Sequence, residues 1–139
     1  MRQDDRDDSL ADAFRSVARL LRQASARTPA RWDLTPSRFR ALRVLLHHGA
    51  MRPSALSEHL HIAPRSTTEL LDGLAAQGLV ERRPGPEDRR ATLAEPTGHG
   101  RQVAAQIRAA TGTESDRLFA TLSPDDRARL TRILGELLR

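Results

Sequence analysis

Two groups of side chains near the middle of the chain have types and spacing that can do chemistry. The first is Arg65-Ser66-Thr67-Thr68-Glu69, directly after a His61-Ile62-Ala63-Pro64 break. If Pro64 opens a helix, Arg65, Ser66, Thr67, Thr68 and Glu69 are the candidates to project outward from its first turns. Small hydroxyls permit close approach to another surface, and the amino end of a helix favours a phosphate. A guanidinium can fork onto a phosphate or a guanine edge, and a carboxylate can accept from a cytosine amino group. The second group is Arg82, Arg83, Arg89 and Arg90 around Pro84-Gly85-Pro86-Glu87-Asp88, a run rich in turn formers. Arginines on a narrow ribbon suit the concentrated negative potential of a minor groove. Asp88 stands two residues before Arg90 and is spaced to hold that guanidinium. Each group alone is common, since helix pairs are widespread and arginine-rich loops are often merely solvated. Their order within residues 53–95 is the informative feature, and it predicts recognition of duplex DNA.

Other reactive side chains form no comparable set. His47-His48 and His59-x-His61 invite a metal reading, but adjacent and i,i+2 residues do not share a helical face. Surface or capping roles are expected for them, with no metal site and no cofactor. No nucleophile with a neighbouring base and no paired carboxylates appear, so an enzyme is not expected. Asp125-Asp126 reads as charge at a helix start. Gly98-His99-Gly100 is too short for a phosphate loop. Trp32 reads as a plug on the core, or as one wall of a candidate effector pocket together with Phe14 and Phe39.

The elements that must position these groups are mostly helices. Leu10, Ala13, Phe14, Val17, Leu20, Leu21 and Ala24 recur at helical spacing, with Ser9 as N-cap and an end before Pro29. Residues 1–8, with Asp4, Asp5, Asp7 and Asp8, read as a frayed acidic tail. Thr35-Pro36 opens a second helix that Gly49 closes. A third runs from about Pro53 to Leu60 and a fourth from about Pro64 to Gln77, stopped by Gly78. Short strands are expected at 79–83 and 91–95, as one hairpin. Thr97 caps a fifth helix and Ser123-Pro124 opens a sixth, with Leu130, Ile133, Leu134, Leu137 and Leu138 on one face.

Composition sets the outer limits. The 139 residues fit one domain with a real core. There is no cysteine, which excludes disulfides, thiolate zinc sites and thiol redox sensing within the chain. No apolar run approaches the ~20 residues that span a bilayer. Met1-Arg2-Gln3-Asp4-Asp5 has no apolar signal core, so a soluble cytoplasmic protein without membrane partners is expected. Net charge is +5 and all 23 basic residues are arginine. They are spread along the chain, as codon preference in a GC-rich genome would give. The sign balance nonetheless varies, with five arginines against one acid, Glu58, between Arg38 and Arg65. An acidic polymer is a plausible partner there.

At this point a family resemblance emerges. The stretch Ala63-Pro-Arg-Ser-Thr-Thr-Glu-Leu-Leu-Asp-Gly-Leu-Ala-Ala-Gln-Gly-Leu-Val-Glu-Arg-Arg83 resembles the recognition helix and first wing strand of the multiple-antibiotic-resistance regulator (MarR) family. Asp88-Arg89-Arg90, followed by Thr97-x-x-Gly100, is similar to that family's wing. Leu34-Thr35-Pro36 leading into Phe39, and Ser54-x-x-Ser57-Glu58-His59-Leu60, also fit, so the likeness runs from about residue 9 to 139. The resemblance implies a mainly α fold with a small β-hairpin wing, namely a winged helix-turn-helix (34–96) flanked by dimerisation helices (9–30 and 97–139). It implies a homodimer whose recognition helices enter successive major grooves of a pseudo-palindromic operator. Ser54 would be among the DNA contacts, and Arg90, partnered by Asp88, would reach the minor groove. It further implies a repressor released by a small aromatic or anionic effector. Two positions depart from the family pattern. Glu69 stands where a basic residue is common, which alters base preference, and Pro96 stands where an aliphatic is usual, which predicts an early end to the second strand.

The apolar faces of the terminal helices lie far in sequence from the DNA-reading segment, which gives dimerisation an independent basis. The alternative is a helical protein-interaction adaptor whose winged helix no longer binds DNA. Glu69 and the six acids within residues 38–90 favour that alternative.

Overall fold

The computed structural model describes the backbone of residues 3–139 and the side chains of residues 9–139. Its order is α1 (Gln3–Arg27), a short 3-10 helix (Thr28–Trp32), α2 (Pro36–His48), α3 (Pro53–Leu60), α4 (Pro64–Ala76), β1 (Val80–Pro84), β2 (Thr92–Pro96), α5 (Gly98–Phe119) and α6 (Pro124–Leu137). Proline occupies the first positions of α2, α3, α4 and α6, where its missing N–H is no loss. Thr35 Oγ1 accepts from the Arg38 N–H at 3.2 Å and Ser123 Oγ from the Asp126 N–H at 3.1 Å, each a cap of about 1 kcal/mol. At the far end of α2, Gly49 adopts φ 83° and donates to the Leu45 carbonyl at 2.8 Å.

Two expectations at the amino end need correction. Ser9 lies inside α1 rather than capping it, and the stretch read as a frayed tail is helical from Gln3. Met1 and Arg2, the start of that tail, lie outside the described residues.

The chain forms two compact units, one of residues 26–109 and one of residues up to 25 with 110–139. In the 26–109 unit, α2, α3 and α4 pack around Leu42, Leu45, Leu56, Leu71 and Leu74, all fully buried. The first turns of α5 close this core with Val103, Ala104 and Ile107. Although α5 is one helix, its two halves therefore belong to different units. Strands β1 and β2 pair antiparallel, with Val80 opposite Pro96 and Pro84 opposite Thr92. Pro96 closes the ladder instead of shortening it, because the last position of an edge strand requires no further N–H. The hairpin also has a third member that the sequence reading missed. Met51 exchanges two backbone hydrogen bonds with Ala94, at 3.1 and 2.8 Å.

Thr97 and Gly100 fix the base of the hairpin to α5. The Thr97 N–H donates to the Leu79 carbonyl at 3.0 Å and its hydroxyl donates to the Gly78 carbonyl at 2.6 Å. The same hydroxyl oxygen caps α5 by accepting from the Gly100 N–H at 3.0 Å. A Cβ at Gly100 would run into the Leu79 carbonyl oxygen. The Thr-x-x-Gly spacing is thus a close backbone crossing that only glycine allows.

In the second unit, α1, the end of α5 and α6 leave a groove of about 420 Å³ walled by Phe14, Val17 and Leu21 on one side and Leu118, Leu130 and Leu134 on the other. Leu10, Phe14, Leu20, Ile133, Leu137 and Leu138 are exposed. Among the described residues no helix is long and apolar enough to cross a membrane.

Candidate nucleic-acid interface

The turn between α3 and α4 is made by His61, whose φ of 54° and ψ of 45° place it in the left-handed region. Its N–H donates to the Glu58 carbonyl at 3.3 Å, and the Ile62 N–H to the Ser57 carbonyl at 3.2 Å. This closes α3 and lets Pro64 start α4 at once. The residue before α4, Ala63, offers no side-chain cap, so the amino end of α4 keeps donors available for an outside acceptor.

Arg65, Ser66, Thr68 and Glu69 are exposed on this end of α4. Arg65 and Glu69 approach each other at 3.9 Å across one turn, with the arginine side chain 93% exposed. An exposed pair of that kind is worth little, and both groups remain available. The Thr68 hydroxyl donates back to the Pro64 carbonyl at 3.1 Å. Thr67, expected among the outward residues, is instead fully buried. Its Oγ1 accepts from Ser57 Oγ at 2.8 Å, tying α4 to α3. The reason is helical phase, since residues 67, 71 and 74 share the buried face of α4. Ser54 lies exposed near the start of α3. Thr35, Arg38, Arg40, Ser66 and Glu69 line an open groove of about 440 Å³ between α2 and α4.

The four hairpin arginines divide into two pairs. Arg82 reaches Asp72 of α4 at 2.7 Å, and Arg83 reaches Glu95 across the strands at 2.8 Å. These two brace the wing, and the acids that hold them were not singled out from sequence because partners 10 and 12 residues apart leave no local pattern. Arg89 and Arg90 are exposed at the tip, and neither has an ion pair among the described residues. Asp88 does not hold the Arg90 guanidinium as its spacing suggested. Its Oδ1 accepts from the Arg90 backbone N–H at 3.0 Å, and its carbonyl accepts from the Ala91 N–H at 3.1 Å. With Gly85 N–H donating to the Ala91 carbonyl at 2.7 Å, the loop backbone is closed and the tip side chains are left outward.

The aromatic residues proposed for an effector pocket take separate places. Phe39 is buried in the core, with the Arg43 guanidinium 5.3 Å from its ring centre. Trp32 is half-buried against the same core, and its Nε1 donates to Gln106 Oε1 at 3.0 Å. Phe14 belongs to the other compact unit, in the wall of its apolar groove. The histidines come together more than their spacing suggested. His48 stacks on His59 with ring centres 4.3 Å apart, and His47 lies edge-on to His48 at 4.7 Å. Desolvation lowers the His48 pKa, and the neighbouring His59 and then His47 act in the same direction. No group of three metal-ligating side chains forms among the described residues.

Three short helices, a close α3–α4 turn and a braced hairpin beside α4 define a winged helix-turn-helix protein. Comparison with known proteins agrees. A model of the MarR family matches residues 34–92. An HTH-type transcriptional regulator of Mycobacterium bovis is 34% identical over 117 residues, spanning 84% of this chain and 81% of that protein. The crystal structure of RV1404 from Mycobacterium tuberculosis is similar with a TM-score of 0.77 at 33% identity, over 94% of this chain and 90% of the other. A mutant MepR of S. aureus bound to an oligodeoxyribonucleotide has a TM-score of 0.80 over 93% and 95% of the two chains, a likeness of fold at 18% identity. The chain belongs to the MarR family of HTH-type transcriptional regulators.

Proposed function

We propose that this chain binds double-stranded DNA sequence-specifically as a homodimer in the cytoplasm, repressing transcription from a pseudo-palindromic operator. The observation that carries the reading is the exposed, uncapped amino end of α4 beside a wing whose tip presents Arg89 and Arg90. Helix end, hydroxyls and Arg65 suit a major groove, while the wing tip suits the adjacent minor groove. Arg65, Ser66, Thr68 and Glu69 would meet base edges and phosphates, Ser54 a phosphate, and Arg89 and Arg90 the flanking groove. Arg82, Arg83 and Asp88 would serve by holding the wing. The likeness in fold to a MepR mutant bound to an oligodeoxyribonucleotide supports this mode. Dimerisation is supported by the exposed apolar residues of α1 and α6, a pattern that marks an interaction surface. Release by a small aromatic or anionic effector is part of the same reading.

The test is selection from random duplexes on the purified chain. Enrichment of an inverted repeat with half-site centres about 10 base pairs apart, or a multiple of that, is expected. Failure to bind any duplex at low salt would overturn the reading and leave a protein-interaction adaptor.

A further inference from the structure

A second charged surface lies away from the α4 tip. A cavity of about 750 Å³ opens between α2 and the start of α5, within the 26–109 unit. Arg40, Arg43, His47 and His48 enter it from α2, and Arg101 and Arg108 from α5. None of its lining residues is acidic, and none of the four arginines forms an ion pair among the described residues. Neutral contacts orient three of them. Arg40 donates to the Leu60 carbonyl at 3.2 Å, Arg101 donates to the Pro96 carbonyl at 3.1 Å, and Arg43 lies over the Phe39 ring. A guanidinium has five donors. One bond to a carbonyl positions it while leaving its charge and its remaining fork uncompensated. Four such charges facing one concavity repel each other and focus a positive potential into it. Val44 and Leu46 add an apolar wall.

We propose that this cavity is a binding site for a small multivalent oxyanion, one carrying several phosphate or carboxylate groups. The volume is that of a small-molecule site, and the concave shape fits a compact ligand better than the backbone of a duplex. Charge count selects for valence. A monoanion would neutralise one guanidinium of four, whereas a tri- or tetra-anion would neutralise the set through bidentate forks. The site shares only Arg40 with the groove beside α4. It therefore goes beyond the DNA-binding reading and does not depend on it.

The experiment is calorimetric titration of the full chain with inorganic tripolyphosphate, with citrate and with benzoate, at about 0.15 M salt. Saturable binding of one tripolyphosphate or citrate per chain is expected, with benzoate at least about tenfold weaker. The Arg43→Gln/Arg108→Gln double variant, and Arg108→Gln alone in case loss of the Phe39 contact disturbs folding, should each weaken binding about tenfold or more. The Arg89→Gln/Arg90→Gln variant should bind the anions as the parent does. Tripolyphosphate binding alone would assign a phosphate ligand, and citrate binding alone a polycarboxylate. Equal affinity for benzoate, no saturable binding of either multivalent anion, or losses confined to the Arg89/Arg90 variant would overturn the proposal. Duplex affinity measured on the same proteins separates the two readings. If Arg108→Gln weakens DNA binding as much as the wing variant does, the surface is a nucleic-acid contact and the proposal fails. Anion binding that survives in a chain unable to bind DNA would uphold the site and sink the regulator reading instead.

Discussion

Thr67 and Thr68 are neighbours in sequence but about 100° apart around α4. Thr68 faces solvent at the α4 tip, while Thr67 faces the core and accepts from Ser57 at 2.8 Å. Thr67→Val should cost about 1 kcal/mol, the scale of one internal hydrogen bond, read as a lower urea midpoint. Its effect on DNA should follow that stability loss and vanish where both proteins are folded. Arg90→Ala should weaken binding to all duplexes and lower the salt slope by about one unit, as loss of a phosphate contact does. An unchanged slope would remove Arg90 from the interface. Arg65→Ala should instead alter sequence preference more than affinity for random DNA, and equal losses on both would argue against base reading. His48 gives a pH dependence. Its pKa lies below the ordinary 6.5, so the folded chain binds fewer protons there than the unfolded chain. Stability should therefore fall as pH drops through 6.5 toward the lower folded value, and be insensitive to this group above it. His48→Gln should flatten the difference in urea midpoint between about pH 7.5 and 5.5. A difference that persists undiminished would place its origin elsewhere.

At the level of elements, the wing is held by a small number of long-range joints. Arg82 ties β1 to α4, Met51 pairs with β2, and Thr97 with Gly100 seats the hairpin base on α5. The exposed Arg82–Asp72 pair contributes little to stability, but it sets where the wing stands relative to α4. The Gly100 crossing is less forgiving. Gly100→Ala places a methyl against the Leu79 carbonyl, and the strain should destabilise the 26–109 unit by about 1–3 kcal/mol. Chemical denaturation would register it, and an unchanged midpoint would show that the crossing can relax.

The whole molecule poses a different problem, because the unit built from α1, the end of α5 and α6 leaves large apolar side chains in water. Phe14 is 56% exposed and Leu137 73%. A second copy of the chain is the occupant proposed for that face. Phe14→Glu should shift sedimentation equilibrium from dimer toward monomer and weaken operator binding through loss of the paired half-site. A variant that remained dimeric would move the interface elsewhere.

Helix starts and stops were legible in the sequence because their signals are local. Thr35-Pro36, Ser123-Pro124 and Gly49 act on their own first or last turns, so the order of six helices and a hairpin followed directly. The α4 segment was legible for the same reason, and residue 67 even carried its warning, lying at helical spacing from Leu71 and Leu74. What only the tertiary structure decided was the partner of each side chain. Arg82 finds Asp72, Arg83 finds Glu95, His48 stacks on His59, and Arg43 meets Arg108 across one cavity. These pairs are separated by 10 to 65 residues. Periodicity fixes which face of a helix is buried, but the rotation and offset of one helix against another depend on how the whole core packs.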